Sequence, residues 1–117
     1  MLFNGARPSD GRSVNFVIGV DQETGVVTAP PREIAITGIE GEMMHAEWLD
    51  ADTIAGVVKT GPGRQVIYAA PAEGGAARII HEVATDHDFS GLGVSPDGQS
   101  IAFIQPAADG LFQLFVI

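Results

Sequence analysis

The sequence contains no cysteine among its 117 residues. That excludes a disulfide framework, a thiolate-ligated zinc site and a cysteine nucleophile. It leaves the compartment open, because disulfide-free chains occur on both sides of a membrane. Basic residues are scarce too: 6 Lys and Arg stand against 15 Asp and Glu, a formal charge of −9 at pH 7. Nucleic acid and anionic membrane surfaces are held by Lys/Arg patches, so this balance argues against a nucleic-acid partner. No apolar run approaches the ~18–20 residues of a spanning helix, and no membrane insertion is expected. Residues 1–10 lack the basic start and apolar stretch of a signal peptide.

What is present is a core-forming share of apolar residues, 45%, and heavy turn punctuation, with 15 glycines and 7 prolines. That composition is poor for long helices and suits short strands joined by tight turns. Internal repetition carries more information. Pro8-Ser9-Asp10-Gly11-Arg12-Ser13-Val14-Asn15-Phe16-Val17 aligns on Asp-Gly with Ser95-Pro96-Asp97-Gly98-Gln99-Ser100-Ile101-Ala102-Phe103-Ile104. Asp, Gly, Ser and Phe match in register, and aliphatic residues match at Val14/Ile101 and Val17/Ile104. A degraded middle copy runs from Trp48 to Val57, with Ala51 and Asp52 in place of Asp-Gly. Taking Gly11, Asp52 and Gly98 as markers, the copies lie 41 and 46 residues apart. A second element, Gln65 to Ala70, matches Phe112 to Ile117 at a constant offset of 47.

Each copy has a physical reading. Pro96 presets φ at the first corner of a turn, Asp97 bonds the local backbone and Gly98 accepts positive φ. Such loops close antiparallel hairpins. The following Ile101-Ala102-Phe103-Ile104 is apolar without alternation, as expected of a strand covered on both faces. A polar loop over 105–110 and a strand over 111–117 follow. The middle copy continues with a strand over 65–70, a turn over 71–75 and a strand over 77–80. Asp21 to Gly25 reads as a turn, and no strand is placed between Gly19 and Met44. Four short strands per 41–47 residues, covered on both faces, describe one blade of a β-propeller.

The Ser95-Pro96-Asp97-Gly98 turn, the Ile101-Ala102-Phe103 strand, the Asp109-Gly110 loop and the Gln113 to Ile117 strand resemble the repeat of TolB-like, WD-repeat-like propellers. Trp48 stands where the family tryptophan belongs, and Glu73-Gly74-Gly75 through Ile79 resembles the last turn and outer strand. The resemblance covers roughly 95 residues in pieces. It implies an all-β chain of two to three consecutive four-stranded antiparallel blades, over residues 1–44, 45–85 and 86–117, the last incomplete. Its signature residues are Asp10, Gly11, Trp48, Gly74, Gly75, Ser95, Pro96, Asp97 and Gly98, and they build turns and cores.

Chemical motifs are weaker. Asp86-His87-Asp88-Phe89-Ser90-Gly91 with Asp97 approximates an oxygen-ligand calcium loop, but Ser90 and Asp97 are poor substitutes and no helices flank it. A solvated connection between strands is the expectation. His45, His81 and His87 are too few and too scattered for a metal site, and each is expected to be exposed. The acids Glu33, Glu40, Glu42, Glu47, Asp50 and Asp52 occur without one Lys or Arg between Glu33 and Asp52, and form a solvated edge or a surface for a basic partner. Gly93-Val94-Ser95-Pro96-Asp97 lacks the last glycine of a nucleophile elbow. Gly61-Pro62-Gly63 lacks the spacing of a dinucleotide loop. Trp48, Tyr68 and the phenylalanines read as core. No catalytic residue, metal ligand or cofactor is therefore expected.

An arc shorter than a ring of about four to eight blades leaves sheet faces exposed. The expectation is a piece of a longer propeller, or copies that complete one another. The resemblance implies a non-catalytic module for protein recognition, typically in the bacterial periplasm or cell envelope. Its partner is then a protein or the missing blades. The alternatives are a substrate-gating segment of a prolyl-oligopeptidase-like serine peptidase and a metal-dependent propeller lyase.

Overall fold

A computed structural model describes residues 1–84, 92–106 and 112–117 of the chain. The described residues contain strands and turns and no helix. Three antiparallel sheets follow one another along the sequence. The first consists of β1 (Leu2–Ala6), β2 (Ser13–Val20) and β3 (Val27–Glu33), in that spatial order. The second consists of β5 (Glu42–Trp48), β6 (Thr53–Gly61), β7 (Arg64–Pro71) and β9 (Arg78–Val83). The third consists of β10 (Leu92–Val94), β11 (Ile101–Pro106) and β12 (Phe112–Val116). Two short strands, β4 (Ile36–Thr37) and β8 (Gly75–Ala76), pair in parallel and tie the exit of the first sheet to a turn of the second.

Each repeat copy lands on the same place, the turn between the first and second strands of a sheet. The reason is local. Asp10 Oδ1 accepts the Arg12 N–H at 3.0 Å, Asp50 Oδ1 accepts the Asp52 N–H at 2.8 Å, and Asp97 Oδ1 accepts the Gln99 N–H at 3.0 Å. All three are aspartate turns, in which a short carboxylate satisfies a backbone donor two residues on. The middle copy is thereby corrected: Asp50, not the Ala51-Asp52 pair, occupies the aspartate position. From Asp50 to Asp97 is 47 residues, the same offset as the second repeated element.

That offset extends to strand register. In the second sheet Ala55 lies opposite Ala69, Gly56 opposite Tyr68 and Val57 opposite Ile67. In the third, Ala102 lies opposite Val116, Phe103 opposite Phe115 and Ile104 opposite Leu114. Every pair is displaced by 47. A one-residue slip would turn each side chain to the wrong face, so identical register means identical face assignment.

Side chains of β6 and β7 alternate between two cores, as the period of a strand requires. Ile54, Val58, Val66, Tyr68 and Ala70 pack with Ile34, Leu2 and Val17 of the first sheet side. Ala55, Val57 and Ile67 pack with Leu92, Ile101 and Phe103 of the third sheet. The second sheet is thus the middle layer of three, which explains its unbroken apolar runs. Burial of each large side chain there stabilises by about 1.5–3 kcal/mol. Gly56 leaves space for the phenol facing it, since a Cβ would come 2.8 Å from the Tyr68 hydroxyl. The sheets also approach one another at first strands: β5 meets β1 and β2 on one side and β10 on the other.

One polar group is buried in the first interface and is matched. Asn15 Nδ2 donates to the Tyr68 hydroxyl at 2.5 Å, while Asn4 Nδ2 donates to Asn15 Oδ1. Burial pushes the Tyr68 phenol up to about 12, against the smaller opposing effect of the Asn15 hydrogen bond.

Several expectations change. Trp48 is 39% exposed, not core. It is the last residue of the edge strand β5, so neighbouring strands flank its ring on one side only. Phe3 is similarly open, at 37%. Strands also occupy the stretch between Gly19 and Met44, namely β3 and β4. The outer strand expected over 77–80 runs over Arg78–Val83, preceded by β8.

Tyr68 is the single tyrosine, so its titration is directly readable. The raised value means stability is fully present below pH 10 and is lost as the pH rises toward 12, by about 3 kcal/mol. Tyrosinate absorbance is expected near pH 12 in the folded chain. Tyr68→Phe should abolish that alkaline loss, and at neutral pH should cost about 1–3 kcal/mol by leaving the Asn15 amide without its acceptor. Urea unfolding at neutral and alkaline pH measures both.

Candidate functional site

The turns at the first-hairpin end of the sheets are the best-defined polar features. In the third sheet, the Ser95 hydroxyl donates to Asp97 Oδ1 at 2.6 Å and accepts the Ser100 N–H at 3.0 Å. The hydroxyl thus both donates and accepts within its own turn. Asp97 is held below the ordinary aspartate value by the Ser95 hydrogen bond, then by the Gln99 N–H. Asp10 and Asp50 are lowered in the same sense, chiefly by the backbone N–H groups of Arg12 and Asp52. These carboxylates favour the folded state at neutral pH and lose that contribution as acid takes the pH through their depressed values. Pro96 begins the turn and Gly98 N–H closes it on Ser95 O at 2.9 Å.

Gly98 also sets the spacing of two sheets. Its φ is +70°, and a Cβ there would stand 2.7 Å from Leu49 O in the turn of the second sheet. Gly11 has nearly the same φ, +72°, but open space around it. The paired glycines Gly74 and Gly75 mark a second inter-sheet seam. Gly75 N–H donates to Ala35 O at 3.0 Å, and Ala77 N–H to Thr37 O at 2.8 Å. Arg32 Nη2 reaches Ala72 O at 3.3 Å across the same seam. The signature glycines at 74, 75 and 98 therefore lie where backbones of successive sheets come close.

The expected acidic surface is divided by the fold. Glu33 is engaged by Arg7, which contacts it at 2.6 Å and Asp10 at 2.9 Å. The Glu33 hydrogen bond, followed by that to Asp10, raises the Arg7 guanidinium above its ordinary value. The sequence offered no signal for this pair, whose members are 26 residues apart. Glu42 and Glu47 lie on β5, the free edge of the second sheet, where Glu47 Oε1 meets His45 Nε2 at 2.7 Å. Asp50 and Asp52 lie in the following turn. The part that stays together is the β5 edge and its turn.

An open cleft of about 280 Å³ beside that turn is lined by Leu49, Asp50, Thr53, Pro71 and Arg78. It is smaller than the ~300–1,000 Å³ typical of small-molecule sites. His81 is partly buried and not open as expected, its ring tilted against Phe103 with centroids 5.4 Å apart. Among the described residues no group of three or more His, Asp or Glu side chains is placed to hold a metal ion. The loop from Asp86 to Gly91 considered for calcium, and the Asp109-Gly110 loop, lie outside the described residues. Among the described residues no helix is long and apolar enough to cross a membrane.

Comparison with protein-family models, with curated proteins and with solved structures finds no match to this chain.

Substitution at the two turn glycines separates local backbone strain from sheet-to-sheet contact. Gly11→Ala should cost about 1 kcal/mol, the left-handed penalty alone. Gly98→Ala should cost about 2–4 kcal/mol, because the added methyl also pushes against Leu49 O. Urea midpoints of the two variants measure the difference. Equal losses would mean that the third sheet does not sit against the second as described.

Proposed function

We propose that the chain is a run of β-propeller blades that acts as a non-catalytic protein-binding module. The observation that carries this reading is the 47-residue repeat of strand register between the second and third sheets, with equivalent side chains facing the preceding sheet each time. Ile54 and Tyr68 face the first sheet, and their counterparts Ile101 and Phe115 face the second. Stacking one meander on the next in the same sense, with first strands drawn together, is how propeller blades bury their faces. The resemblance of the Asp-Gly turns to TolB-like repeats supports the same assignment.

The binding role is supported by where polar side chains are left free. In a propeller the first strand of each blade lines the central channel and the turns rim it. Here that strand, β5, offers Glu42 and the His45–Glu47 pair at a free edge. A protein partner presenting Lys or Arg is the complementary chemistry. The described serine with the best motif context, Ser95, is consumed by its turn, which favours recognition over hydrolysis.

Photo-crosslinkers placed singly at Glu42, Glu47 and Ile79 test this in extract of the source cells. A protein crosslinked from the first-strand positions and not from Ile79 is the expected outcome, with Glu47→Lys abolishing capture from position 42 and Glu42→Lys abolishing capture from position 47. Equal crosslinking from all three positions, or peptide hydrolysis by the purified chain, would overturn the reading.

A further inference from the structure

The cleft at one end of the second sheet carries two opposite charges that do not meet. It lies between the β5–β6 turn and the start of β9, with Asp50 and Leu49 on the turn and Arg78 on the strand. Ala69 and Ala70, each 2% exposed, line its floor. Backbone bonds fix its walls. Leu49 N–H donates to Thr53 O at 2.9 Å and closes the turn, and Ala72 N–H donates to Asp52 O at 2.8 Å and joins that turn to the end of β7.

Among the described residues, the Arg78 side chain makes no hydrogen bond or ion pair. Asp50 spends Oδ1 on the Asp52 N–H at 2.8 Å, and that bond holds its carboxyl below the ordinary aspartate value, so it is charged at neutral pH. A simple cation entering the cleft is opposed by Arg78. A simple anion is opposed by Asp50 and by the net charge of −9. A ligand with one charge of each sign satisfies both groups. Its length is set by the sheet. Thr53 and Arg78 begin β6 and β9, which flank β7 on its two sides. Two strand spacings are ~10 Å, the reach of about two or three extended residues. Leu49 and Pro71 add apolar wall, and the volume of about 280 Å³ suits a ligand of that size lying partly in water.

We infer that this cleft binds a short zwitterionic peptide, a dipeptide or tripeptide with free termini and aliphatic side chains, its ammonium on Asp50 and its carboxylate on Arg78. A guanidinium takes a carboxylate by two parallel hydrogen bonds, which fixes the direction of the chain. The site adds a small ligand to the turn beside the β5 edge, and it does not depend on the propeller reading.

Titration of the isotope-labelled chain with leucyl-alanine, followed through amide chemical shifts, tests it. Saturable shifts confined to residues 49–53 and 69–78 are expected. Acetylating the peptide's amine or amidating its carboxylate should each weaken binding roughly tenfold, the scale of one hydrogen bond to a charged group. Arg78→Gln should reproduce the loss on amidation. Asp50→Asn, which keeps an acceptor for the Asp52 N–H, should reproduce the loss on acetylation. The same spectra report whether each variant folds, and the blocked peptides make the test on the unaltered chain. No saturable shift, or equal affinity for free and doubly blocked peptide, would overturn the inference. Tighter binding of the acetylated peptide would overturn the role of Asp50, and leucine binding as tightly as the dipeptide would overturn the peptide length.

Discussion

A β-sheet that is apolar on both faces cannot leave either face in water, and the second sheet is such a sheet. Its central strands alternate with period two, yet both phases are hydrophobic: Ile54, Val58 and Val66 on one side, Val57 and Ile67 on the other. With each large side chain worth about 1.5–3 kcal/mol when buried, a cover on both sides is a condition of folding. The first and third sheets supply it. Neither of them could supply it if register slipped by one residue, because the slip would exchange the faces.

Most polar features lie around that stack, and among the described residues the polar side chains buried within it are Asn15 and Gln65. Asn15 enters the first interface only with two partners, Asn4 and the Tyr68 hydroxyl, so the buried amide is not left unpaired. The turn aspartates satisfy backbone donors and keep the hairpin ends narrow. The glycines at 74, 75 and 98 let successive sheets approach at their turns. Acidic side chains fall to the exposed β5 edge, where the excess of negative charge can serve recognition instead of stability. On the proposed reading, packing and function thus occupy different surfaces of the same strands.

Much of this is legible in the sequence where a rule is strict. Asp10-Gly11 and Asp97-Gly98 announce their turns because few other residues satisfy that geometry, and the run Gln65 to Ala70 announces a fully covered strand. The middle turn is ambiguous in sequence because Asp50-Ala51-Asp52 offers two aspartates, and only the hydrogen bond from the Asp52 N–H chooses Asp50. Strand β3 leaves no mark in the sequence, since an exposed edge strand containing Pro30 and Pro31 has neither apolar alternation nor strand propensity. A register shift between Met43 and Ala46 hid β5 by breaking its period. Residue type alone places Trp48 in the core, whereas its exposure follows from its place at the end of an edge strand. The pair of Arg7 and Glu33, at two ends of the first sheet's strands, depends on how β3 folds back beside β2, which no local pattern encodes.

The stacking of the third sheet on the second carries the whole account, because it defines the repeat and the faces. Methyl–aromatic NOE spectroscopy on the wild-type chain tests it most directly. The Phe103 ring should show cross-peaks to methyl groups of Val57 and Ile67, alongside those to its own sheet. A Phe103 ring whose cross-peaks are confined to β10, β11 and β12 would contradict the stacked arrangement.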